Sequence, residues 1–281
     1  MPFVELRDAR IFYEVTGEGR PLVLLHGAWA SCQWWKWQAP ELSERYRVFA
    51  VDVRGHGRST PLEKVYSVPG FSADLEAFCQ SVTLDQAVVV GWSMGGLIAI
   101  QHCLDNPSRV RALVLIGTRG QRCRSMKLRI LQDYVQSLLD LMMTFAAPRK
   151  FERTGSAATV GHRTWIEREA RRMLARDAPP EVIEWVTNEL ATVPAKAYFE
   201  VARSIWNWDA EDRLREIDAP TLIIVGENDV ATPPHFSQVL HEEIPDSKLV
   251  VVRGASHYVA MEQSALVNSE IVRFLEEVGY G

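Results

Sequence analysis

Several features that mark particular protein classes are missing from this sequence. The uncharged apolar run at residues 87–100 is interrupted by glycines and is shorter than the roughly 20 residues that span a bilayer. The opening stretch MPFVELRDAR carries charged residues where a secretory signal peptide needs an apolar core. These absences predict no membrane span and a cytoplasmic localisation.

Cysteine is scarce and widely spaced, at Cys32, Cys79, Cys103 and Cys123. No CxxC pair is present, and the four residues fit free buried thiols in a reducing compartment. His26, Asp52 and His56 match no familiar metal-ligand spacing, so neither a metal nor a cofactor is expected. The net charge of −5 gives no reason to expect a nucleic-acid partner.

What the chain does contain is a composition typical of globular proteins, with 47% hydrophobic and 24% charged residues. Short β-branched runs alternate with amphipathic stretches, which is typical of parallel strands covered by helices on both faces. The eight predicted strands are residues 4–7, 10–15, 21–25, 47–51, 87–90, 112–116, 221–225 and 248–252. The predicted helices are residues 34–43, 72–82, 94–106, 236–243 and 265–278. A tight connection at Asp8-Ala9 predicts an antiparallel hairpin at the sheet edge.

The alternation stops after Ile116 and resumes at Pro220. Between them lie helical patterns such as MKLRILQDYVQSLLDLMM and PPEVIEWVTNELA, and no convincing strand. So long a segment is not a loop. We therefore predict an all-helical cap at residues 119–219, inserted into a core formed by residues 1–118 and 220–281. The cap is expected above the C-terminal ends of the strands, where open α/β sheets bind ligands.

The stretch VVVGWSMGG, residues 88–96, places Ser93 at the junction of a predicted strand and a predicted helix. A chain that turns this sharply brings positions 91 and 95 together, and glycine at both relieves the crowding. The turn would hold the Ser93 hydroxyl above the sheet, beside the positive end of the helix. Ser93 is therefore the candidate nucleophile; the alternative is a structural turn with an incidental serine.

A serine nucleophile needs a base, most often a histidine oriented by a carboxylate. His257, in GASHYVAMEQ, follows the last predicted strand and should reach the same rim of the sheet as Ser93. Glu227 and Asp229, in GENDVATPP, are the candidate carboxylates. We favour Asp229 because it follows the strand by a turn, whereas Glu227 is too close to the strand end; the alternative for Asp229 is a local Asx turn.

The tetrahedral intermediate of acyl transfer needs preorganised donors for its oxyanion. The backbone N–H of Met94, directly after the serine, is one candidate. The other is the N–H of Ala28 in LLHGAWASCQWW, with Trp29 as second choice. His26 is interpreted as a hydrogen-bonding scaffold residue, and the stretch DVRGHGRS as a shaped loop in which Asp52 and Arg54 pair locally.

Together LLHGAW, DVRGHGRS, GWSMGG, GENDVATPP and GASHYVAMEQ resemble the α/β-hydrolase superfamily. The resemblance covers residues 1–118 and 220–281, and the cap is similar only to the variable helical lids of that family. It implies an α/β fold with a mostly parallel eight-stranded sheet flanked by helices, and a triad in the order Ser93, Asp229, His257.

Serine at position 93 disfavours epoxide opening and dehalogenation, since relatives with those activities carry aspartate there. Attack on a carbonyl remains, as in serine carboxylesterases, C–C bond hydrolases, lactonases, and cofactor-free haloperoxidase-like perhydrolases or acyltransferases. The stretch AWASCQWW departs from the glycine-rich loop usual in C–C hydrolases, which disfavours that activity. A slow-turnover ligand receptor on the same fold is the alternative from another class.

Tryptophan and arginine are the two residue types that point to a substrate. Trp29 and Trp92, beside the oxyanion and nucleophile positions, are candidate pocket walls, although core packing explains most of the nine tryptophans. Residues 119–177 hold 13 Lys or Arg against 6 Asp or Glu. This run is either a solvated helix face or a surface that steers anionic substrates. Its named members are Arg119, Arg122, Arg124, Lys127, Arg129, Arg168, Arg171 and Arg172.

The sequence therefore predicts a serine hydrolase that cleaves a small apolar carboxylic ester, or a related carbonyl substrate, through an acyl-enzyme intermediate. Ser93 attacks, His257 moves the proton and Asp229 orients the imidazole. The expected partner is a small molecule, and whether the chain forms a homo-oligomer stays open.

Overall fold

The computed structural model describes residues 3–61, 66–121, 170–191 and 195–281. Eight strands form a single sheet, as predicted. They are β1 (Phe3–Glu5), β2 (Arg10–Thr16), β3 (Pro21–Leu25), β4 (Arg47–Val51), β5 (Ala87–Trp92), β6 (Val110–Ile116), β7 (Thr221–Gly226) and β8 (Ser247–Val252).

The strand order is β1-β2-β4-β3-β5-β6-β7-β8, and every neighbouring pair from β4 to β8 is parallel. Only β2 runs antiparallel to its two neighbours. The predicted hairpin between β1 and β2 is confirmed, with the Leu6 N–H donating to the Ala9 carbonyl at 2.7 Å. The order reverses at β3, which lies between β4 and β5, and ligands of open α/β sheets bind at such a reversal.

The described α-helices are α1 (Ala39–Leu42), α2 (Val68–Ser81), α3 (Met94–Asp105), α4 (Pro180–Ala191), α5 (Ala195–Trp206), α6 (Pro234–Glu243), α7 (Val259–Glu262) and α8 (Ser264–Glu277). Short 3-10 turns occupy Cys32–Trp35, Pro107–Arg109 and Glu211–Glu216. No helix in this described part of the chain is both long enough and apolar enough to cross a membrane.

Proline accounts for the two largest differences from the predicted helix boundaries. The predicted helix at residues 34–43 is two short pieces, a 3-10 turn at Cys32–Trp35 and helix α1, which has Pro40 in its first turn, where the missing N–H costs nothing. Helix α2 begins at Val68 rather than residue 72, because Pro69 lies in the first turn, where its missing N–H costs nothing. Ser67 caps this helix by accepting the Gly70 N–H at 3.1 Å.

Both faces of the central strands are buried, as expected for parallel strands between two helical layers. On β3, Leu22 and Leu24 pack into the cluster that includes α8, whereas Val23 and Leu25 pack against α2 and α3. Because successive side chains enter opposite faces and both faces are buried, the strands appear in the sequence as continuous apolar runs.

The strand register determines which loops meet at the C-terminal edge. Leu25 pairs with Gly91 across β3 and β5, so the loop after β3 lies beside residues 92–94. Trp92 pairs with Ile116 across β5 and β6, so Gly117 and Thr118 flank the same turn. Residues far apart in sequence are thus brought to one edge.

Helices separate β6 from β7, in the segment for which an all-helical cap is predicted. Helix α4 covers the predicted helical pattern at residues 179–191, while the predicted helix at residues 126–143 lies outside the described residues. The two ends of the insertion meet, since the Ala210 N–H donates to the Gly120 carbonyl at 2.9 Å. The boundaries of the cap at residues 119 and 219 stay a prediction.

Candidate active site

The turn between β5 and α3 holds Ser93 in a strained backbone conformation, with φ 52° and ψ −115°. Such positive φ is unfavourable for a residue with a side chain and marks a site fixed by its surroundings. The Ser93 N–H donates to the Ile116 carbonyl at 2.9 Å, and the Thr118 hydroxyl donates to the Ser93 carbonyl at 2.7 Å. Both backbone polar groups of Ser93 are therefore tied to the end of β6.

Glycine is required on both sides of this turn. A Cβ on Gly91 would overlap the backbone of Gly95, and a Cβ on Gly95 would overlap the Leu25 carbonyl and lie 2.8 Å from the His26 carbonyl. Helix α3 thus approaches β3 more closely than any side chain would allow. The predicted crowding at positions 91 and 95 is present, and the contact with β3 adds to it.

The structure brings Ser93, His257 and Asp229 together. The Ser93 hydroxyl lies 3.2 Å from His257 Nε2, and His257 Nδ1 lies 2.9 Å from Asp229 Oδ2. Because an ionised carboxylate only accepts, Nδ1–H donates to Asp229 and Nε2 is left to accept the serine proton. His257 and Asp229 are buried, whereas Ser93 is half-buried.

Asp229 has a complete set of hydrogen-bond donors around its carboxylate. Oδ1 accepts the N–H groups of Ala231 at 2.9 Å and Thr232 at 2.8 Å, and Oδ2 accepts the Thr232 hydroxyl at 2.8 Å. Burial opposes ionisation, but the facing His257 imidazole and the Thr232 donors outweigh it and lower the Asp229 pKa below its ordinary value. The carboxylate is thus held charged beside the imidazole.

Glu227, the other candidate carboxylate, does not face His257. Its side chain accepts the Gly254 N–H at 3.0 Å on an exposed part of the loop after β8. This position agrees with the preference for Asp229.

The two candidate oxyanion donors lie on adjacent loops. Helix α3 begins at Met94 and is pressed against the end of β3, from which the chain continues through His26 and Gly27 to Ala28. In the part of the chain that the structure describes, neither the Ala28 nor the Met94 N–H donates a hydrogen bond. Trp29, the second choice, has φ 62° and is partly buried.

The two candidate pocket tryptophans differ in position. Trp92 is 5% exposed, its ring stacks on Trp34 at 5.1 Å, and its Nε1–H donates to the His257 carbonyl at 3.1 Å. These are the contacts of a supporting ring beneath the site. Trp29 packs against the buried clusters on both sides of the sheet. The assignment of either ring to a pocket wall stays a prediction.

His26 joins the loops after β3 and β4. Its Nδ1–H donates to the Gly27 carbonyl at 2.7 Å, and its Nε2 accepts the Val53 N–H at 3.0 Å, which matches the predicted scaffold role. Burial lowers the pKa of His26 to about 4, so the ring is neutral.

The predicted local pair of Asp52 with Arg54 is wrong. The Asp52 carboxylate accepts the N–H groups of Cys32 at 2.6 Å and Arg58 at 2.8 Å. Arg54 instead forms a bidentate pair with Asp74, at 2.7 Å for both bonds, and reaches Asp8 at 2.8 Å. The Asp52 carboxylate thus shapes the loop by accepting these two backbone N–H groups, one on each oxygen.

Thr232 and Thr118 are site residues that the sequence reasoning missed. Thr232 follows Asp229 by three residues, and an aspartate can accept N–H groups two and three residues ahead, so this spacing was a usable signal. Thr118 had no such signal, because its bond to Ser93 depends on the pairing of β5 with β6.

The basic run of the predicted cap is only partly described. Arg119 donates to the carbonyls of Gln121, Ile205 and Trp208, so it closes the base of the insertion. Arg171 and Arg172 are exposed. The other five named members lie outside the described residues, and steering of anionic substrates stays a prediction.

Known proteins share this architecture. A family model described as alpha/beta hydrolase fold matches residues 20–264. The pimeloyl-[acyl-carrier protein] methyl ester esterase of Nitrosospira multiformis is 29% identical over 274 residues, covering 94% of this chain and 97% of its own. The non-heme haloperoxidase of Rhodococcus erythropolis is 27% identical over 293 residues, which cover 98% of this chain and 100% of the haloperoxidase. Among solved structures, a thermophilic esterase from Thermogutta terrifontis superposes with a TM-score of 0.81 at 27% identity. The match covers 96% of this chain and 94% of the esterase.

Proposed function

The chain belongs to the alpha/beta hydrolase fold family and is a hydrolase, and from that premise we propose that it cleaves small apolar carboxylic esters through an acyl-enzyme on Ser93. The observation that carries the proposal is the continuous chain of short contacts from Ser93 Oγ through His257 to Asp229. Relatives whose names include ester cleavage support the choice of substrate class.

The acylation step follows from the direction of these contacts. Ser93 Oγ attacks the ester carbonyl carbon while its proton passes to His257 Nε2. Asp229 holds the Nδ1–H and stabilises the imidazolium that forms. The N–H groups of Met94 and Ala28 are proposed to stabilise the oxyanion. When the tetrahedral intermediate collapses, the C–O bond breaks and His257 returns the proton to the leaving alkoxide.

Deacylation repeats the sequence with water as nucleophile. His257 removes a proton from water, the hydroxide oxygen attacks the acyl carbon, and the proton returns to Ser93 Oγ as the acid leaves. An alcohol, amine or peroxide that competes with water would convert the same site to acyl transfer or perhydrolysis. Product analysis with added nucleophile separates these outcomes.

The Ser93 hydroxyl is the proposed nucleophile, and its removal should abolish turnover. We expect hydrolysis of p-nitrophenyl esters, from acetate to decanoate plus benzoate, and a loss of about 10⁴-fold or more in kcat for Ser93→Ala, as for other triads. The chain-length profile of kcat/KM measures the acyl group accepted.

Ser237 provides a matched control. It is a buried serine on α6 whose hydroxyl has no hydrogen-bond partner among the described residues, so Ser237→Ala should retain activity. If Ser93→Ala hydrolyses every ester as fast as the wild type, or if the wild type hydrolyses none and Ser93 does not react with a fluorophosphonate, the proposed function is wrong.

A further inference from the structure

A second buried carboxylate lies close to His257, and the mechanism above does not use it. Glu262, at the end of α7, is 8% exposed. Its Oε2 accepts the N–H of Ser256 at 2.6 Å, and its Oε1 accepts the N–H of Ala175 at 2.7 Å. Ser256 directly precedes His257, whereas Ala175 belongs to the helical insertion between β6 and β7. One side chain therefore bridges the insertion and the histidine loop, residues 253–258, which connects β8 to α7 and carries His257.

A backbone hydrogen bond also joins the histidine loop to the insertion. The His257 N–H donates to the Met173 carbonyl at 3.2 Å, two residues before Ala175. On the other side, the His257 carbonyl accepts the Trp92 Nε1–H at 3.1 Å. The backbone of His257 is thus held between the 173–175 segment and the turn that carries Ser93.

Only a carboxylate can accept both N–H groups at this position. Burial disfavours its charge and raises the pKa of Glu262, while the two backbone donors favour the ionised form. An amide of the same shape would present one NH₂ group to an N–H donor and break one of the two bonds.

We propose that Glu262 is a positioning residue, which transmits docking of the 173–175 segment through Ser256 to the imidazole of His257. The inference rests on the proposed function, because its effect is on the contact between His257 Nε2 and Ser93. If the segment moves away, Ser256 loses its link to the insertion and His257 loses the Met173 bond. The imidazole then departs from the geometry that proton transfer requires.

The test compares Glu262→Gln with Glu227→Gln. Glu227 also accepts an N–H of the loop that carries His257, that of Gly254, but it is exposed and forms no hydrogen bond or ion pair with the described residues of the insertion. We expect Glu262→Gln to lower kcat by about 10- to 100-fold with KM changed less than about threefold. Glu227→Gln should keep wild-type kcat, and Glu262→Asp, which retains two acceptor oxygens, should recover part of the loss.

Hydrogen exchange tests the coupling without relying on activity. In Glu262→Gln, peptides covering residues 170–178 and 253–261 should both take up deuterium faster than in the wild type. If Glu262→Gln does not fold, Ala175→Pro removes the donor from the insertion side alone, and faster exchange is then expected at residues 253–261.

The outcomes are distinct. If Ser93→Ala loses ester hydrolysis but Glu262→Gln keeps wild-type kcat and exchange, the inference is wrong and the proposed function stands. If the wild type hydrolyses no ester, the proposed function fails. Deuterium uptake in Glu262→Gln then decides whether the 173–175 segment and the histidine loop are coupled. Faster exchange at only one of the two segments also overturns the inference, because it shows that they open independently.

Discussion

A carboxylate buried beside a histidine is useful only if it stays ionised, and Thr232 does much to keep Asp229 in that state. Its N–H and hydroxyl donate to different oxygens of the Asp229 carboxylate, both at 2.8 Å. Hydrogen bonds to a charged group are worth roughly 1.5 to 3 kcal/mol each. A residue three positions after the acid thus fixes both its charge and its orientation.

Thr232→Val should test this support. The substitution keeps the shape and the N–H but removes the hydroxyl, so the Asp229 pKa should rise toward its ordinary value. Because Asp229 would then take up its proton at higher pH, kcat/KM should fall more steeply than in the wild type on the acid side of the profile, below about pH 5. We expect kcat at neutral pH to fall about 10-fold, equivalent to about 1.4 kcal/mol. The measurement is the pH profile of ester hydrolysis.

Thr221→Val is the matched control for that profile. Thr221 is a fully buried threonine at the other end of β7, and its hydroxyl donates to the Ala219 carbonyl at 2.8 Å. Its loss should lower stability and leave the pH profile in place. An unmoved acid limb in Thr232→Val would show that the hydroxyl does not support the charge of Asp229.

Ser93, Asp229 and His257 could be singled out from the sequence because each follows a strand whose apolar run is easily read. The parallel sheet then carries all three to one edge. Arg54 and Glu262 could not be assigned in this way. Their partners, Asp74 and Ala175, come from elements whose approach depends on tertiary packing rather than on a local pattern.

At the scale of elements, the site depends on how closely α3 approaches β3. Gly95 in the first turn of α3 faces the carbonyls of Leu25 and His26 with no room for a Cβ. The strands were predicted within a few residues because period and composition agree there. The division of residues 34–43 into two short helical pieces could not be predicted, since a proline inside an amphipathic pattern can either begin a helix or interrupt it.

Gly95→Ala should separate α3 from β3 and move the Met94 N–H away from Ala28. We expect a destabilisation of about 2 to 3 kcal/mol from overpacking. We also expect a loss of about 100-fold or more in kcat, the usual cost of removing one oxyanion donor. Urea unfolding and ester hydrolysis measure the two effects.

Gly279→Ala controls for the general cost of replacing glycine. Gly279 has φ +69°, but a Cβ there would meet nothing within 4 Å. The substitution should cost roughly 1 kcal/mol from backbone strain alone and leave kcat unchanged. If Gly95→Ala behaves in the same way, close approach of α3 to β3 is not what the site requires.

At the scale of the whole molecule, the two buried acids near His257 affect stability in opposite directions. The Asp229 pKa is lowered, so its contribution to stability is present above its unfolded value of 3.8 and is lost as the pH falls through the folded pKa. The Glu262 pKa is raised, so its contribution is present below the unfolded value of 4.5 and is lost as the pH rises through the folded pKa.

This opposition predicts a pH-dependent difference between the wild type and Glu262→Gln. As the pH rises from about 4.5 to neutral, the wild type should lose free energy of unfolding relative to the variant, because the unfolded chain ionises this carboxyl group more readily than the folded protein does. Glu216→Gln is the control, since the Arg213 guanidinium lowers the Glu216 pKa, and this carboxylate is ionised in both states once the pH is well above its unfolded value of 4.5. Its difference from the wild type should stay constant over the same range. Urea unfolding at a series of pH values measures both, and a constant difference for Glu262→Gln would mean that this carboxylate ionises as readily in the folded protein as in the unfolded chain.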